Sequence, residues 1–287
     1  MSDSTTRFSD RVEDYVKYRP HYPEAVVEYL RATYGLKPEW SIADIGSGTG
    51  ISTELFLRNG NRVYGIEPNR GMREKGEQLL AGYARLRGEG GRGAEGWDAG
   101  AQDAEGRGAE DAFQGEGGGN FISIEGTAEA TGLADGSVDM IVAGQAFHWF
   151  DPAQSRVEFA RILRSGGVVV LIWNERLIVS PFEKEYEDLI LRHASDYNAI
   201  NHKNISDGQF REFFHPAAFA LAIFPNEQLF DFEGLKGRLL SSSYIPKEGS
   251  RHVELMRGLR ELFDRHAAGG RVRVGYDTKV YSGVLKP

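Results

Sequence analysis

Apolar and polar positions alternate along the first two thirds of the chain in blocks typical of strands followed by helices. Several short runs are almost entirely apolar, as expected for strands covered on both faces of a parallel sheet. Between them, apolar residues recur three or four positions apart, which is the spacing of an amphipathic helix. This alternation predicts a doubly wound α/β fold. The predicted strands of this part are 41–45, 62–66, 121–124, 138–143 and 168–173.

Start and stop signals place helices between these strands. Pro23 and Pro152 are suited to a first helical turn, and Asn59-Gly60 is suited to a helix end. In the last third, 219–224 and 272–284 have the pattern of strands. They bring the prediction to a seven-stranded, mostly parallel sheet with an antiparallel edge strand. The predicted helices are 23–34, 51–57, 72–83, 152–163, 182–194 and 252–266.

Residues 88–119 differ in composition from everything around them. They contain twelve of the 36 glycines and two large apolar residues, Trp97 and Phe113. Such a segment buries too little apolar surface to offset its ordering entropy. We therefore predict a mobile surface insertion, serving either as a lid or partner loop or as a tolerated insertion without a role of its own.

Composition narrows the classes of function. The chain has 40% hydrophobic and 26% charged residues and a formal net charge of -8, which gives no basic surface for nucleic acid. No window reaches the ~18 apolar residues that span a bilayer. With no cysteine, disulfides, thiolate zinc sites and cysteine nucleophiles are excluded. The seven histidines lack metal-ligand spacing, so we expect no metal, no nucleic acid, no membrane insertion and a cytoplasmic location.

The strongest chemical signal is the turn 46–50, Gly-Ser-Gly-Thr-Gly, between the first strand and its helix. Its glycines permit close approach of the backbone to a ligand. Glu67, at the end of the second strand, can accept the hydroxyl hydrogens of a ribose. Asp44 favours a cation, such as the ammonium of a methionyl group, over a pyrophosphate. The turn also lacks the G-x-G-x-x-G spacing of dinucleotide sites, so a sulfonium nucleoside is favoured, with a NAD-linked oxidoreductase as the alternative.

At these positions the sequence resembles the class I S-adenosylmethionine-dependent methyltransferases. A looser similarity, carried by 15, 18–20, 22–23 and 147–151, is to the small-molecule branch that includes the trans-aconitate-type methyltransferases. The resemblance implies S-adenosylmethionine as cofactor and a Rossmann-like methyltransferase fold. The motifs that carry the resemblance to the class are 44–50, 67–68, 126–129 and 137–141.

The resemblance also implies roles for individual residues. The glycine turn would pass beneath the methionyl group, the end of the second strand would hold the ribose, and the segment after the third strand would border the adenine. The pair after the fourth strand would line the sulfonium region, while an N-terminal pair closes over the cofactor. The cofactor-binding residues implied are Tyr18, Arg19, Asp44, Gly46, Ser47, Gly48, Gly50, Glu67, Pro68, Met72, Thr127, Ala128, Glu129, Gln145 and Ala146.

Aromatic residues follow the fourth strand, where an acceptor would meet the cofactor. Phe147 and Trp149 are predicted to form a pocket wall, and His148 is either a general base or a structural residue. In the last third, Arg238 and Tyr244 offer donors for a carboxylate or polar acceptor, or simply belong to a helix end.

The function expected from these features is methyl transfer to a small-molecule acceptor by in-line displacement, at a carboxylate oxygen or another nucleophile. A non-catalytic S-adenosylmethionine-binding protein is the second alternative. The expected organisation is a single methyltransferase domain over 1–287, with an N-terminal helical cap at 1–35 and a substrate-side C-terminal part at 176–287. The oligomeric state is left open.

Overall fold

The computed structural model describes residues 16–83, 120–194, 207–242 and 244–285. The predicted insertion at 88–119 and the first residues of the predicted cap lie outside these ranges. The strands are β1 (Ser41–Ile45), β2 (Arg62–Ile66), β3 (Phe121–Ile124), β4 (Val138–Gly144), β5 (Leu163–Arg176), β6 (Ala220–Phe230) and β7 (Val272–Val284). The helices are α1 (Ala25–Tyr34), α2 (Ile51–Arg58), α3 (Arg70–Leu80), α4 (Pro152–Ile162), α5 (Pro181–His193), α6 (Asp207–Phe214), α7 (Phe232–Leu240) and α8 (Ser250–His266).

The seven strands form one sheet in the order β3-β2-β1-β4-β5-β7-β6. The first five are parallel, and β7 runs antiparallel to both β5 and β6. The predicted seven-stranded, mostly parallel α/β fold is confirmed. Its antiparallel member, β7, lies one place inside the edge strand β6.

Alternate residues of the central strands enter different apolar clusters. On β4, Ile141 and Ala143 join one cluster, while Met140 and Val142 join another. Successive side chains of a strand point to opposite faces, so the two clusters cover the two faces of the sheet. This double burial explains why β4 and the end of β5 are almost continuously apolar in sequence.

The chain order places a crevice at one edge of the sheet. From β1 the chain proceeds to β2 and β3 on one side, and then returns to β4 on the other side. Ligands of open α/β sheets bind where the strand order reverses in this way, at the carboxyl ends of the strands. In this chain that point lies between the ends of β1 and β4.

Four features differ from the sequence expectations. The helix α4 ends at Ile162, and β5 begins directly afterwards and continues through Gly166-Gly167, where we expected a loop. The helices α6 and α7 were not predicted. The strand β6 is longer than expected and contains Pro225. Because β6 is an edge strand, proline does not interrupt an interior ladder there.

None of the described helices has the length and apolar run needed to cross a membrane.

The fold predicts a large cost for removing a central aromatic side chain of α4. Phe159 is fully buried, with its ring 5.9 Å from that of Phe213. We expect Phe159→Ala to lower the free energy of unfolding by about 3–5 kcal/mol, because a cavity remains in the core. Urea denaturation measures this loss. The control is Val157→Ala on the same helix, where the side chain is 69% exposed and the expected change is within ~0.5 kcal/mol.

Candidate active site

The glycine turn packs tightly against neighbouring loops. Its three glycines, Gly46, Gly48 and Gly50, have φ values of 68°, 58° and 91°, which favour glycine. A Cβ at Gly46 would lie 2.7 Å from the Cβ of Ala146, and one at Gly50 would lie 2.5 Å from Leu80. The glycines therefore permit both the turn itself and its close contact with the segment that follows β4.

Asp44 is the buried acid at the end of β1. Its side chain is inaccessible to solvent, and its Oδ2 accepts hydrogen bonds from Ser52 Oγ at 2.7 Å and Thr53 Oγ1 at 2.6 Å. The Oδ1 atom has no hydrogen-bond donor among the described residues. Burial raises the pKa of Asp44 to about 6. A buried carboxylate oxygen without a partner is suited to a cationic ligand group.

Glu67 lies at the end of β2 and is tied to the turn. Its Oε2 accepts a hydrogen bond from the backbone N–H of Gly48 at 2.9 Å, and its Oε1 accepts one from Asn69 at 2.8 Å. Burial raises the pKa of Glu67, and its charge contributes to the raised pKa of Asp44. The structure therefore brings the two predicted carboxylates together. Each oxygen of Glu67 can accept a further hydrogen bond from a ligand hydroxyl.

A narrow cleft opens beside the turn and is covered by residues 18–22, which we call the covering segment. Arg19, Pro20 and Tyr22 line it from the N-terminal side. The cleft measures about 40 Å³, which is room for a few water molecules. This volume is too small for a nucleoside. The remaining lining residues are Gly46, Ser47, Gly48, Thr49, Ile51, Ser52, Gly144 and Gln145.

Asn174, near the end of β5, fastens this covering segment to the sheet. Its Nδ2 donates to the carbonyl oxygens of Pro20 at 3.1 Å and His21 at 3.3 Å. Its Oδ1 accepts from Thr278 Oγ1 at 2.6 Å and from Asn226 Nδ2 at 3.2 Å. The side chain is 5% exposed. The end of β5 and the middle of β6 and β7 thus hold the covering segment in place, a function that the sequence did not predict.

The residue after β4 has an unusual backbone. Gln145 has φ 57° and is the non-glycine residue of the described chain with positive φ. Its Nε2 donates to the carbonyl oxygen of Asn174 at 3.2 Å, and its backbone N–H donates to Ile172 at 2.8 Å. Such local strain is concentrated at functional sites. Gln145 lines the cleft and joins it to the Asn174 contacts.

The residues predicted around the adenine lie at the ends of β2 and β3. Met72 is buried, and its backbone N–H donates to the side chain of Asn69. Ala128 is buried, Thr127 is exposed, and Glu129 Oε1 accepts from the backbone of Asp151 at 2.8 Å. Pro68, which follows Glu67, is partly buried. These residues lie outside the lining of the closed cleft.

The aromatic segment after β4 is divided between core and surface. Phe147 is 2% exposed, and its ring centroid lies 4.8 Å from that of Phe213 in an edge-to-face contact. This differs from the expected pocket wall, because the ring packs into the core beneath the loop. His148 and Trp149 are partly exposed, with ring centroids 4.8 Å apart.

One predicted C-terminal donor, Arg238, lies near the covering segment, and the other, Tyr244, is partly buried in the stretch after α7. The ring of Tyr18 packs directly on Gly237, where a Cβ would be 2.0 Å away. Arg19 Nη2 donates to the carbonyl oxygen of Ser241 at 3.2 Å. Arg238, beside Gly237 on α7, therefore lies next to the segment that lines the cleft. Among the described residues, no group of three or more potential ligands forms a metal site.

Comparisons with known proteins agree with this architecture. Residues 97–171 match the family described as a methyltransferase domain. An uncharacterized methyltransferase of Mycobacterium tuberculosis is 28% identical over 174 residues, which cover 61% of this chain and 54% of that protein. An uncharacterized methyltransferase-like protein of Schizosaccharomyces pombe is 26% identical over 98% of this chain and 96% of its own length. The chain thus spans about half the length of the mycobacterial relative.

A solved structure shares the fold. The chain superimposes with a TM-score of 0.62 on a protein described as a type II methyltransferase from Anaeromyxobacter dehalogenans, with 19% sequence identity. The match covers 94% of this chain and 99% of that one. The shared fold and the match of residues 97–171 make the chain similar to methyltransferases. The unpartnered Asp44 Oδ1 beside the glycine turn fits the ammonium group of S-adenosylmethionine, the cofactor that the sequence resemblance implies.

The raised pKa of Asp44 predicts a pH-dependent stability. The folded pKa of about 6 exceeds the ordinary value of 3.8, so a fall in pH through 6 protonates the folded state first and stabilises it. From pH 7 to pH 5, wild type should gain roughly 1 kcal/mol relative to Asp44→Asn. Urea denaturation at both pH values measures the difference. An equal difference at both pH values would contradict the prediction, and the exposed Asp188→Asn serves as the control.

Proposed function

We propose that the protein transfers the methyl group of S-adenosylmethionine to a small-molecule acceptor. The observation that carries the proposal is the pairing of Asp44 and Glu67 at the ends of β1 and β2, with one carboxylate oxygen of Asp44 left without a donor. The cofactor carries an ammonium group, which needs an anionic partner, and ribose hydroxyls, which need hydrogen-bond acceptors. A pyrophosphate at this position would face two acids, which disfavours a dinucleotide.

The residues of this chain bind and orient the cofactor in the proposed reaction. Asp44 Oδ1 accepts a hydrogen bond from the ammonium group, and Glu67 accepts hydrogen bonds from the ribose hydroxyls. The segment 127–129 borders the adenine. Gln145 and Arg19 enclose the methionyl end. The bound cofactor supplies an activated methyl group on a sulfonium leaving group.

The covering segment excludes water from the reacting groups. Asn174 holds Pro20 and His21 over the cleft, so closure desolvates the methyl donor and the acceptor together. In-line displacement then depends mainly on positioning. A carboxylate acceptor needs no base, whereas an alcohol or carbon acid would use His148. We propose that the whole chain, with residues 1–35 as its cap, acts as one domain in this reaction.

The assignment of the ribose to Glu67 is tested by Glu67→Gln. The amide keeps one acceptor oxygen for the turn but loses the charge, so charge-assisted bonds to the ribose are weakened. We expect the dissociation constant for S-adenosylmethionine to rise at least ~10-fold by calorimetry. The matched control is Glu77→Gln on the exposed face of α3, which should bind as wild type does. Unchanged affinity in Glu67→Gln would remove this assignment.

The role of His148 is tested by His148→Ala. If His148 is the base, turnover should fall about 100-fold while cofactor affinity stays within twofold. The turnover of wild type should depend on pH between about 5 and 8, and the variant should lose that dependence. His193→Ala, at the end of α5, is the control. If His148→Ala and wild type have equal turnover at every pH, His148 is a structural residue. If the protein binds the cofactor but turns over no acceptor, a non-catalytic binding protein is favoured.

A further inference from the structure

A groove of about 660 Å³ lies between α5 and α8 and shares no lining residue with the cleft beside the glycine turn. Arg265, near the end of α8, forms an ion pair with Glu185, near the start of α5. Farther along, a Cβ at Gly258 would lie 2.7 Å from Cδ1 of Leu189, so the two helices approach each other closely there. These two contacts occur in opposite order along the two helices, which therefore run antiparallel.

The floor of this groove is apolar, whereas its walls are charged. Leu189 and Leu262 line it and are 4% and 2% exposed. Small-molecule pockets of this size are lined mostly by apolar groups. Charged walls over an apolar floor fit a protein surface better than a small ligand. Four of the wall residues are exposed, two from each helix: Asp188, Arg192, Arg257 and Glu261.

These four wall residues are charged side chains without an ion pair in the described part of the chain. Arg192 Nε donates to the backbone carbonyl oxygen of Asp188 at 3.2 Å, which leaves the carboxylate itself unused. Glu185, by contrast, is held by Arg265 and His266. The four therefore keep their charges available to a partner.

Their spacing divides the groove into an acidic and a basic section. Asp188 and Arg192 are four residues apart on α5, and Arg257 and Glu261 are four apart on α8, so each pair spans one helical turn. Because the helices are antiparallel, the two acids lie at one level and the two arginines lie one turn farther along. The acidic section adjoins the paired Glu185.

This order of charges is complementary to itself under a two-fold rotation. An axis that crosses the groove between the two sections places the acidic section of each copy over the basic section of the other. Asp188 of one copy then faces Arg192 of the second, and Glu261 faces Arg257. An axis along the helices would instead bring acid over acid, so the charges select the first arrangement. Self-complementary patches of this kind form closed dimers.

We propose that α5 and α8 form the interface of a homodimer, in which a second copy of this chain covers the groove. The four facing residues have no net charge, so the copies can meet there although each chain has a formal net charge of -8. Val253, one turn before Arg257 on α8, is 67% exposed and adds apolar surface to the same stripe. Neither helix lines the cleft, so this inference is independent of the proposed methyl transfer.

Sedimentation velocity on the full chain tests the interface with two charge-reversed variants. The acidic variant carries Arg192→Glu and Arg257→Glu, and the basic variant carries Asp188→Arg and Glu261→Arg. In each variant like charges meet across the interface, so the dimer dissociation constant should rise at least ~100-fold. An equimolar mixture of the two variants should associate within ~10-fold of wild type, because opposite charges face each other again. In wild type, 1 M NaCl should weaken the dimer at least ~5-fold.

The matched control is the double variant Arg70→Glu and Arg211→Glu, which makes the same change of net charge at exposed sites on α3 and α6. It should dimerise as wild type does. A wild type that stays monomeric up to about 100 µM overturns the inference. Dimers that survive in both charge-reversed variants, or variants that do not associate when mixed, overturn it as well. If circular dichroism shows a double variant to be unfolded, Arg192→Glu and Asp188→Arg replace the two variants, with the same outcomes deciding.

Discussion

The arrangement of the site depends on one buried carboxylate, that of Asp44. Ser52 and Thr53 in the first turn of α2 donate to one of its oxygens, so the acid fixes the start of α2 beneath the glycine turn. Burying an ionised group is costly, and the pKa of about 6 expresses that cost. The hydrogen bonds to α2 use only one carboxylate oxygen, so the burial of the second oxygen is not offset by any contact among the described residues. A cationic ligand group beside its second oxygen would offset the desolvation.

The sequence predicted the sheet best where the strands are buried on both faces. The apolar run of β4 left little ambiguity, since few other elements bury four consecutive residues on both faces. The helix α6 is different, because Phe210, Phe213 and Phe214 pack into the core and hold eight residues in a helix that local propensity does not favour. The strand β5 likewise begins at Leu163 because Leu163 pairs with Val138, while Gly166-Gly167 lie in a bulge before the regular pairing resumes at Val168. Tertiary contacts of this kind leave no local signature.

The candidate site was likewise predictable only in part. The strand ends carry Asp44, Glu67 and the glycine turn, and the carboxyl ends of neighbouring parallel strands lie at the same edge of the sheet, so we could expect these residues to lie close together. Asn174 escaped notice because its partners Pro20 and Thr278 lie 154 and 104 residues away along the chain. An isolated asparagine at a strand end forms no sequence pattern from which such contacts can be predicted. The position of Phe147 after β4 was predictable, but the direction of its ring was not, because the ring packs on Phe213 of α6, which is distant in sequence.

The covering segment joins the two halves of the site. Arg19 lines the cleft beside the glycine turn and is bonded to Ser241, while Tyr18 packs on Gly237 and is bonded to Gln228. Outward movement of this segment would therefore break contacts with the C-terminal part and widen the cleft. The same segment lines the cleft of about 40 Å³ and lies beside Arg238 on α7. The cleft beside the glycine turn and the surroundings of Arg238 consequently depend on one short stretch of chain, because both include contacts with it.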